Sequence, residues 1–226
     1  MPKAPASKPS SRAARQRPAL PHPADPPDSA QPASSGKPSA RLSRNDWIRA
    51  ALCQIASHGL AGINVAGLAQ HLRVTTGSFY WHFPTRDALI EAALDCWEAE
   101  RIAVLNRLCD ISEPQARLQH LVLDIYRNRE SGALFSALQA SASDPRVASR
   151  LRRTTQRRLR FLRLTYRQLG HPPQKARHAA LATYSLYAGL WEVSRTLPAS
   201  DEDALSGPRL QRYVEYLGHL LLPDLR

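Results

Sequence analysis

The chain has 226 residues, 43% of them hydrophobic, and a formal net charge of +12. That length allows one or two domains. No apolar run approaches the ~18–20 residues that cross a bilayer and no secretory apolar segment follows Met1, so a cytoplasmic protein without a membrane partner is expected.

Residues 1–40 hold ten of the eighteen prolines and almost no large apolar side chains. Such a segment buries too little surface to offset the entropy of ordering it, so a disordered, Pro-rich basic tail is expected there. Its basic, serine-containing, acid-poor composition resembles a transit peptide, but the prolines forbid the amphipathic helix such a peptide needs. Two readings stay open: a flexible arm that touches phosphates, or a start set too far upstream.

Beyond residue 40 the apolar periodicity is helical throughout, with no sustained strand alternation. The first helix is expected over 44–58, with Ser43 as N-cap, Asp46 completing a capping box and Gly59 ending it. Asn64 can cap a second over 65–72. A third is expected at 76–82 and a fourth at 86–108, after the break at Pro84-Thr85. The fifth follows Glu113-Pro114, with Leu118, Leu121, Val122, Ile125 and Tyr126 inward. A short sixth is expected near 132–140. Asp144-Pro145 opens a seventh that runs to Leu169, Pro172-Pro173 an eighth to about Leu197, and Ser206/Pro208 a ninth that stops before Pro223.

Val65, Leu68, Ala69 and Leu72 share one face of the second helix, and Arg73-Val74 make a tight connection to the third. Two short helices joined this way form either an ordinary helical hairpin or a helix-turn-helix, whose second helix enters the DNA major groove. Residue identity favours the latter. The run Val74-Thr75-Thr76-Gly77-Ser78-Phe79-Tyr80-Trp81-His82-Phe83 resembles the recognition-helix signature of the TetR family of bacterial transcriptional regulators. The resemblance extends back through Ile48-Arg49-Ala50-Ala51-Leu52 and His58-Gly59-Leu60, and forward through Arg86-Asp87-Ala88-Leu89. It covers about sixty residues. It implies an all-α fold of about nine helices: a three-helix DNA-binding domain (41–85) linked by helix 4 to a helical ligand-binding and dimerisation domain (86–226).

The hydroxyls of Thr75, Thr76 and Ser78 can bond bases or phosphates, and Gly77 lets backbone approach closely. Tyr80 is suited to a phosphate oxygen, the role the resemblance implies, with His82 and Arg86 beside the DNA backbone. Arg41, Arg44, Arg73 and Asn64 lie around the same face. Residues 75–79 contain no Arg, Asn or Gln, so modest base contact and appreciable shape readout are expected. Helix 2 departs from the family pattern: its first turn, Val65-Ala66-Gly67, is not polar. The charge is also unhelpful, at +4 in 1–40, −1 in 41–100 and +9 in 101–226, so the DNA-binding unit is not basic overall. Phe79, Trp81 and Phe83 are expected in the core, as are Cys53, Cys96 and Cys109, which lack metal-ligand spacing.

For the remainder the resemblance implies an inducer pocket, with the last two helices pairing across a twofold axis. Tyr126, Phe135, Phe161, Tyr166, Tyr184 and Tyr187 are candidate pocket residues, being apolar with polar tips. Leu190, Trp191, Tyr213, Leu217 and Leu221 are candidates for the homodimer interface. Nine arginines lie between Arg146 and Arg167 with no acid among them. They form either a solvated basic face or a seat for an anionic inducer or acidic partner.

The expected function is that of a homodimeric, ligand-released repressor on a palindromic double-stranded operator. The alternatives are an activator of the same fold and a non-specific basic nucleic-acid binder driven by the tail. No P-loop, dinucleotide fingerprint, HExxH, CxxC pair or nucleophile elbow is present, so neither an enzyme nor a cofactor or metal is expected.

Overall fold

The first helix, α1 (Arg44–His58), begins at a reciprocal cap. The Ser43 hydroxyl accepts from the Asp46 amide at 3.3 Å, and the Asp46 carboxylate accepts from the Ser43 amide at 2.7 Å. A 3₁₀ turn (Leu60–Gly62), α2 (Val65–His71) and α3 (Thr76–Tyr80) complete the head. Then come α4 (Arg86–Cys109), α5 (Pro114–Arg127), α6 (Arg129–Ala140), α7 (Pro145–Gln168), α8 (Pro173–Thr196) and α9 (Gly207–Leu221). This computed structural model describes residues 42–196 and 207–221. The expected tail over 1–40 lies outside them. Among the described residues there are nine α-helices and no strand, which is the expected class. None of these helices is long and apolar enough to cross a membrane.

Starts and stops follow local chemistry. Asn64, Thr85 and Asp144 each accept a backbone N–H through the side chain at the start of α2, α4 and α7. The sixth helix starts three residues earlier than expected, because the Asn128 side chain accepts from the Ser131 amide at 3.1 Å. Gly132, expected at its first turn, sits within the helix and packs on the Trp191 indole, where a Cβ would overlap the ring.

Two cores organise the fold. The first joins α1, the 3₁₀ turn, α2, α3 and the front of α4 to Leu134, Phe135 and Leu138 of α6, Val147 of α7, and Tyr187 and Trp191 of α8. The second joins the rear of α4 to α5, α7 and the start of α8. Apolar packing therefore runs unbroken across residue 85, and α4 belongs to both cores.

Candidate nucleic-acid interface and the cavity behind it

The α2–α3 connection sets the geometry of the interface. At the end of α2 the Val74 amide donates to Ala69 O (2.9 Å) and the Arg73 amide to Gln70 O (3.1 Å). This paired closure requires a left-handed residue, and Arg73 takes it, at φ 57°. The chain then enters α3 from Thr75, whose hydroxyl makes no capping bond and stays available.

Phe79 and Phe83 anchor α3 from beneath, at 0% and 1% exposure. Their rings stack at 5.8 Å, and Trp47 of α1 meets Phe79 edge-on at 5.4 Å. Burying each such ring contributes on the order of 1.5–3 kcal/mol, enough to hold a five-residue helix that would not form alone. Outward from this anchor, Thr75, Thr76 and Gly77 are exposed, Ser78 and His82 half-buried, and Tyr80 64% exposed. Trp81 corrects the expectation that it packs inside: it is 89% exposed. Two residues on from Phe79 it points away from the face that Phe79 and Phe83 share.

The other expected contacts are placed as follows. Arg44 is exposed and its guanidinium lies 4.6 Å from the centre of the Phe83 ring. The Asn64 side chain is engaged in capping α2 at 2.6 Å. Arg86 is half-buried and donates through Nε to Ile63 O (2.7 Å) and through a terminal nitrogen to Leu60 O (3.3 Å), which ties the start of α4 to the 3₁₀ turn. Arg41 lies outside the described residues. A hydrogen bond from Ser43 holds the Asp46 carboxyl below the usual range, with a lesser pull from Arg49 and His82.

The arginine-rich α7 is not simply a solvated face. Arg146 reaches Asp87 at 3.1 Å, Arg150 reaches Glu91 at 2.5 Å and Asp95 at 2.6 Å, and Arg153 reaches Glu98 at 2.5 Å. The pairs advance together along both sequences, so α4 and α7 lie side by side in a parallel sense, laced by opposite charge. Arg150 and Arg158 are buried, at 8% exposure each. The cysteines also depart from expectation: Cys53 and Cys109 are exposed and Cys96 is half-buried.

Behind the head, side chains of α4, α6, α7 and α8 line a narrow cavity that opens to solvent. Phe135, Tyr184 and Tyr187 of the expected pocket line it. Phe161 and Tyr166 belong instead to the second core, where the Tyr166 hydroxyl pairs with Thr183 at 2.7 Å. The Tyr126 side chain lies outside the description. The sequence reading missed Trp97, Arg101 and Thr155 on the same walls, and did not separate Arg158 from the other arginines of α7. A signal existed: Arg101 continues the buried stripe of Leu94, Trp97, Leu105 and Leu108, and Arg158 lies in step with Phe161, Leu162 and Thr165. Among the described residues no group of His, Cys, Asp and Glu could hold a metal ion.

Of the expected dimer residues, Leu190, Trp191 and Leu217 face the protomer's own interior, at 7%, 9% and 7% exposure, which leaves little area for a partner. Tyr213 is half-buried, and the Leu221 side chain lies outside the description. The exposed apolar side chains nearby are Leu181 and Val193 on α8 and Tyr216 and Leu220 on α9.

A short helix-turn-helix presented by a rigid aromatic anchor, on a larger helical body, defines a DNA-binding transcriptional regulator. The family model for bacterial regulatory proteins of the tetR family matches residues 48–93. The HTH-type transcriptional regulator BetI of Burkholderia thailandensis is 28% identical over 191 residues, 80% of this chain and 95% of the relative. BetI of Burkholderia cenocepacia is 28% identical over 160 residues, 66% and 80% of the two chains. Among solved structures, a TetR transcriptional regulator from Legionella pneumophila superposes with a TM-score of 0.66 at 16% identity, over 82% of this chain and 98% of its own. A putative transcriptional regulator from Saccharomonospora viridis, in complex with choline, superposes at 0.62 with 18% identity, over 80% and 93%. Residues 48–93 thus match the tetR-family DNA-binding region, and the chain as a whole is similar to TetR-family transcriptional regulators.

Proposed function

We propose that the protein is a homodimeric, ligand-released repressor acting in the cytoplasm on a palindromic operator. Residues 41–85 form the reading head and 86–226 the sensing and pairing body. The observation that carries this is the outward face of α3: Thr75, Thr76, Tyr80 and Trp81 are exposed on a helix whose other side is locked by Phe79 and Phe83. A five-residue helix exposing an indole and a phenol has no stability reason to do so. A duplex supplies the partner, with hydroxyls for base edges and phosphates and aromatic tips for the backbone.

One head makes too few contacts for useful specificity, so two half-sites are engaged. The exposed Leu181, Val193, Tyr216 and Leu220 supply the apolar area for a second copy. Helix α4 couples the two functions. Its middle lines the cavity, and its first turn is tied to the 3₁₀ turn through Arg86. A ligand that favours one placement of α4 shifts the spacing of the two heads and releases the operator.

Selection of bound duplexes from a random pool tests the proposal. A palindromic consensus is expected, with two chains per duplex. Thr76→Ala and Tyr80→Ala should each weaken that complex while leaving the protein folded. Undiminished binding by both variants would overturn it.

A further inference from the structure

The cavity has an uncommon charge. Arg101 of α4 is half-buried, and one terminal nitrogen donates to the Ser131 hydroxyl while its Nε is buried with no hydrogen-bond partner. Arg158 of α7 is buried, and its guanidinium lies 4.3 Å from the centre of the Tyr187 ring. Arg157 lies at the same cavity. No Asp or Glu lines it, and among the described residues no carboxylate lies within ion-pair distance of Arg101 or Arg158. This contrasts with Arg146, Arg150 and Arg153 on the same helix α7, each of which has a carboxylate.

Cations this sheltered normally carry a counter-charge, because burying one unpaired is costly. The Tyr187 ring gives Arg158 a favourable cation–π contact but does not cancel its charge. Tyr184 is no counter-ion either: burial pushes its phenol above the usual range, and its hydroxyl pairs with Thr155 at 2.8 Å. Burial pulls Arg101 below the ordinary arginine range; Tyr187 opposes this most, Arg158 adds to it less strongly, and Glu100 and Asp124 oppose it less still. Trp97, on the same wall, has a buried indole N–H with no partner. Unpartnered buried donors of this kind call for an explanation.

We propose that this cavity binds an organic carboxylate with a compact apolar body, its oxygens held by Arg101 and Arg158 and its body lying among Trp97, Phe135, Tyr184 and Tyr187. The inference deepens the regulator reading by naming the class of its ligand, but its chemistry rests on the cavity alone. Guanidinium forks match a carboxylate in geometry as well as charge, and the aromatic walls suit a flat or short hydrocarbon part. A quaternary ammonium, such as the choline bound in the Saccharomonospora viridis protein, would meet like charge here.

The test is calorimetric titration of the full chain with 2-naphthoate and decanoate. The matched alcohols, 2-naphthalenemethanol and decanol, serve as neutral probes and choline as the cationic one. At least one carboxylate should bind saturably, at least tenfold more tightly than its alcohol, and choline should not bind. Arg158→Met and Arg101→Met should each remove most of that preference, about tenfold to a hundredfold for a charged hydrogen bond. Arg101→Lys should restore part of it, which separates charge recognition from damage to the fold. Arg160→Met, at an exposed site on α7 away from the cavity, should change nothing. Equal binding of alcohol and acid, saturable choline binding, an anion preference that survives both methionine variants, or no saturable carboxylate binding would each overturn the proposal. If a carboxylate binds as expected but no duplex is selected, the regulator reading falls while this one stands.

Discussion

Arg73 closes α2 in the geometry with which Gly170 closes α7. In both, the left-handed residue donates its amide three residues back (3.1 Å to Gln70 O, 3.0 Å to Arg167 O), and the next amide reaches five back (2.9 Å to Ala69 O, 3.1 Å to Tyr166 O). Glycine is at ease in that conformation, whereas an arginine pays about 1–2 kcal/mol for it. Glycine in turn loses about 0.5–1 kcal/mol of chain entropy. Arg73→Gly should therefore stabilise the fold by up to about 1 kcal/mol, seen as a higher urea midpoint at unchanged slope. The same variant should weaken duplex binding and flatten its salt dependence, because the proposed DNA face loses an exposed cation. A variant equal to the parent in both respects would show that the strain at Arg73 serves neither end.

Trp81 offers a direct view of the proposed interface. The chain has four tryptophans, and Trp47, Trp97 and Trp191 are 0%, 2% and 9% exposed, against 89% for Trp81. Acrylamide should quench one emitting component readily and the others weakly. Adding the selected duplex should protect the quenchable one. Trp81→Ala should remove that component, lower duplex affinity and leave stability within about 0.5 kcal/mol of the parent. Loss of more than about 2 kcal/mol on this substitution would return Trp81 to the core.

Acid should loosen both the lacing of α4 to α7 through Glu98 and the cap of α7 at Asp144. The hydrogen bond from Arg153 holds Glu98 below its ordinary value of 4.5, and that from Arg146 holds Asp144 below 3.8. A carboxyl depressed in the fold contributes stability that is complete above its ordinary value and is lost as pH falls through its lower folded one. Melting temperature should therefore be flat from pH 7 to about 5 and fall below that. Glu98→Gln should melt lower than the parent at pH 7, with the gap closing toward pH 3. A gap independent of pH would mean that Glu98 contributes by packing alone.

Much of this fold was legible because caps and periodicity are local. Ser43 with Asp46, Asn64 and Asp144-Pro145 mark helix starts at the positions observed. What was not legible depends on partners far along the chain. Arg150 is buried only because Glu91 and Asp95, more than fifty residues earlier, meet it. Arg158 stands in step with an apolar stripe, but arginine is so rarely buried that a solvated face was the natural reading of α7. Trp81 was misplaced for a different reason. Its aromatic neighbours drew it into the core, although helical spacing alone puts it opposite Phe79.

The contact between Gly132 and Trp191 tests whether α8 is built for the protomer or for its partner. Trp191 is in the first core, and its ring occupies the space a Cβ on Gly132 would need. Overpacking of this kind costs about 1–3 kcal/mol, so Gly132→Ala should destabilise the protomer. Trp191→Ala should cost about 3–5 kcal/mol through the void it leaves. Because the two residues touch, the effects should not add: in a Trp191→Ala background, Gly132→Ala should be nearly neutral. Leu181→Glu and Tyr216→Glu, at exposed positions, should instead leave protomer stability intact and shift sedimentation toward the single chain. If Trp191→Ala produced stable single chains and the glutamate variants stayed paired, the partner would be meeting α8 through the face assigned here to the interior.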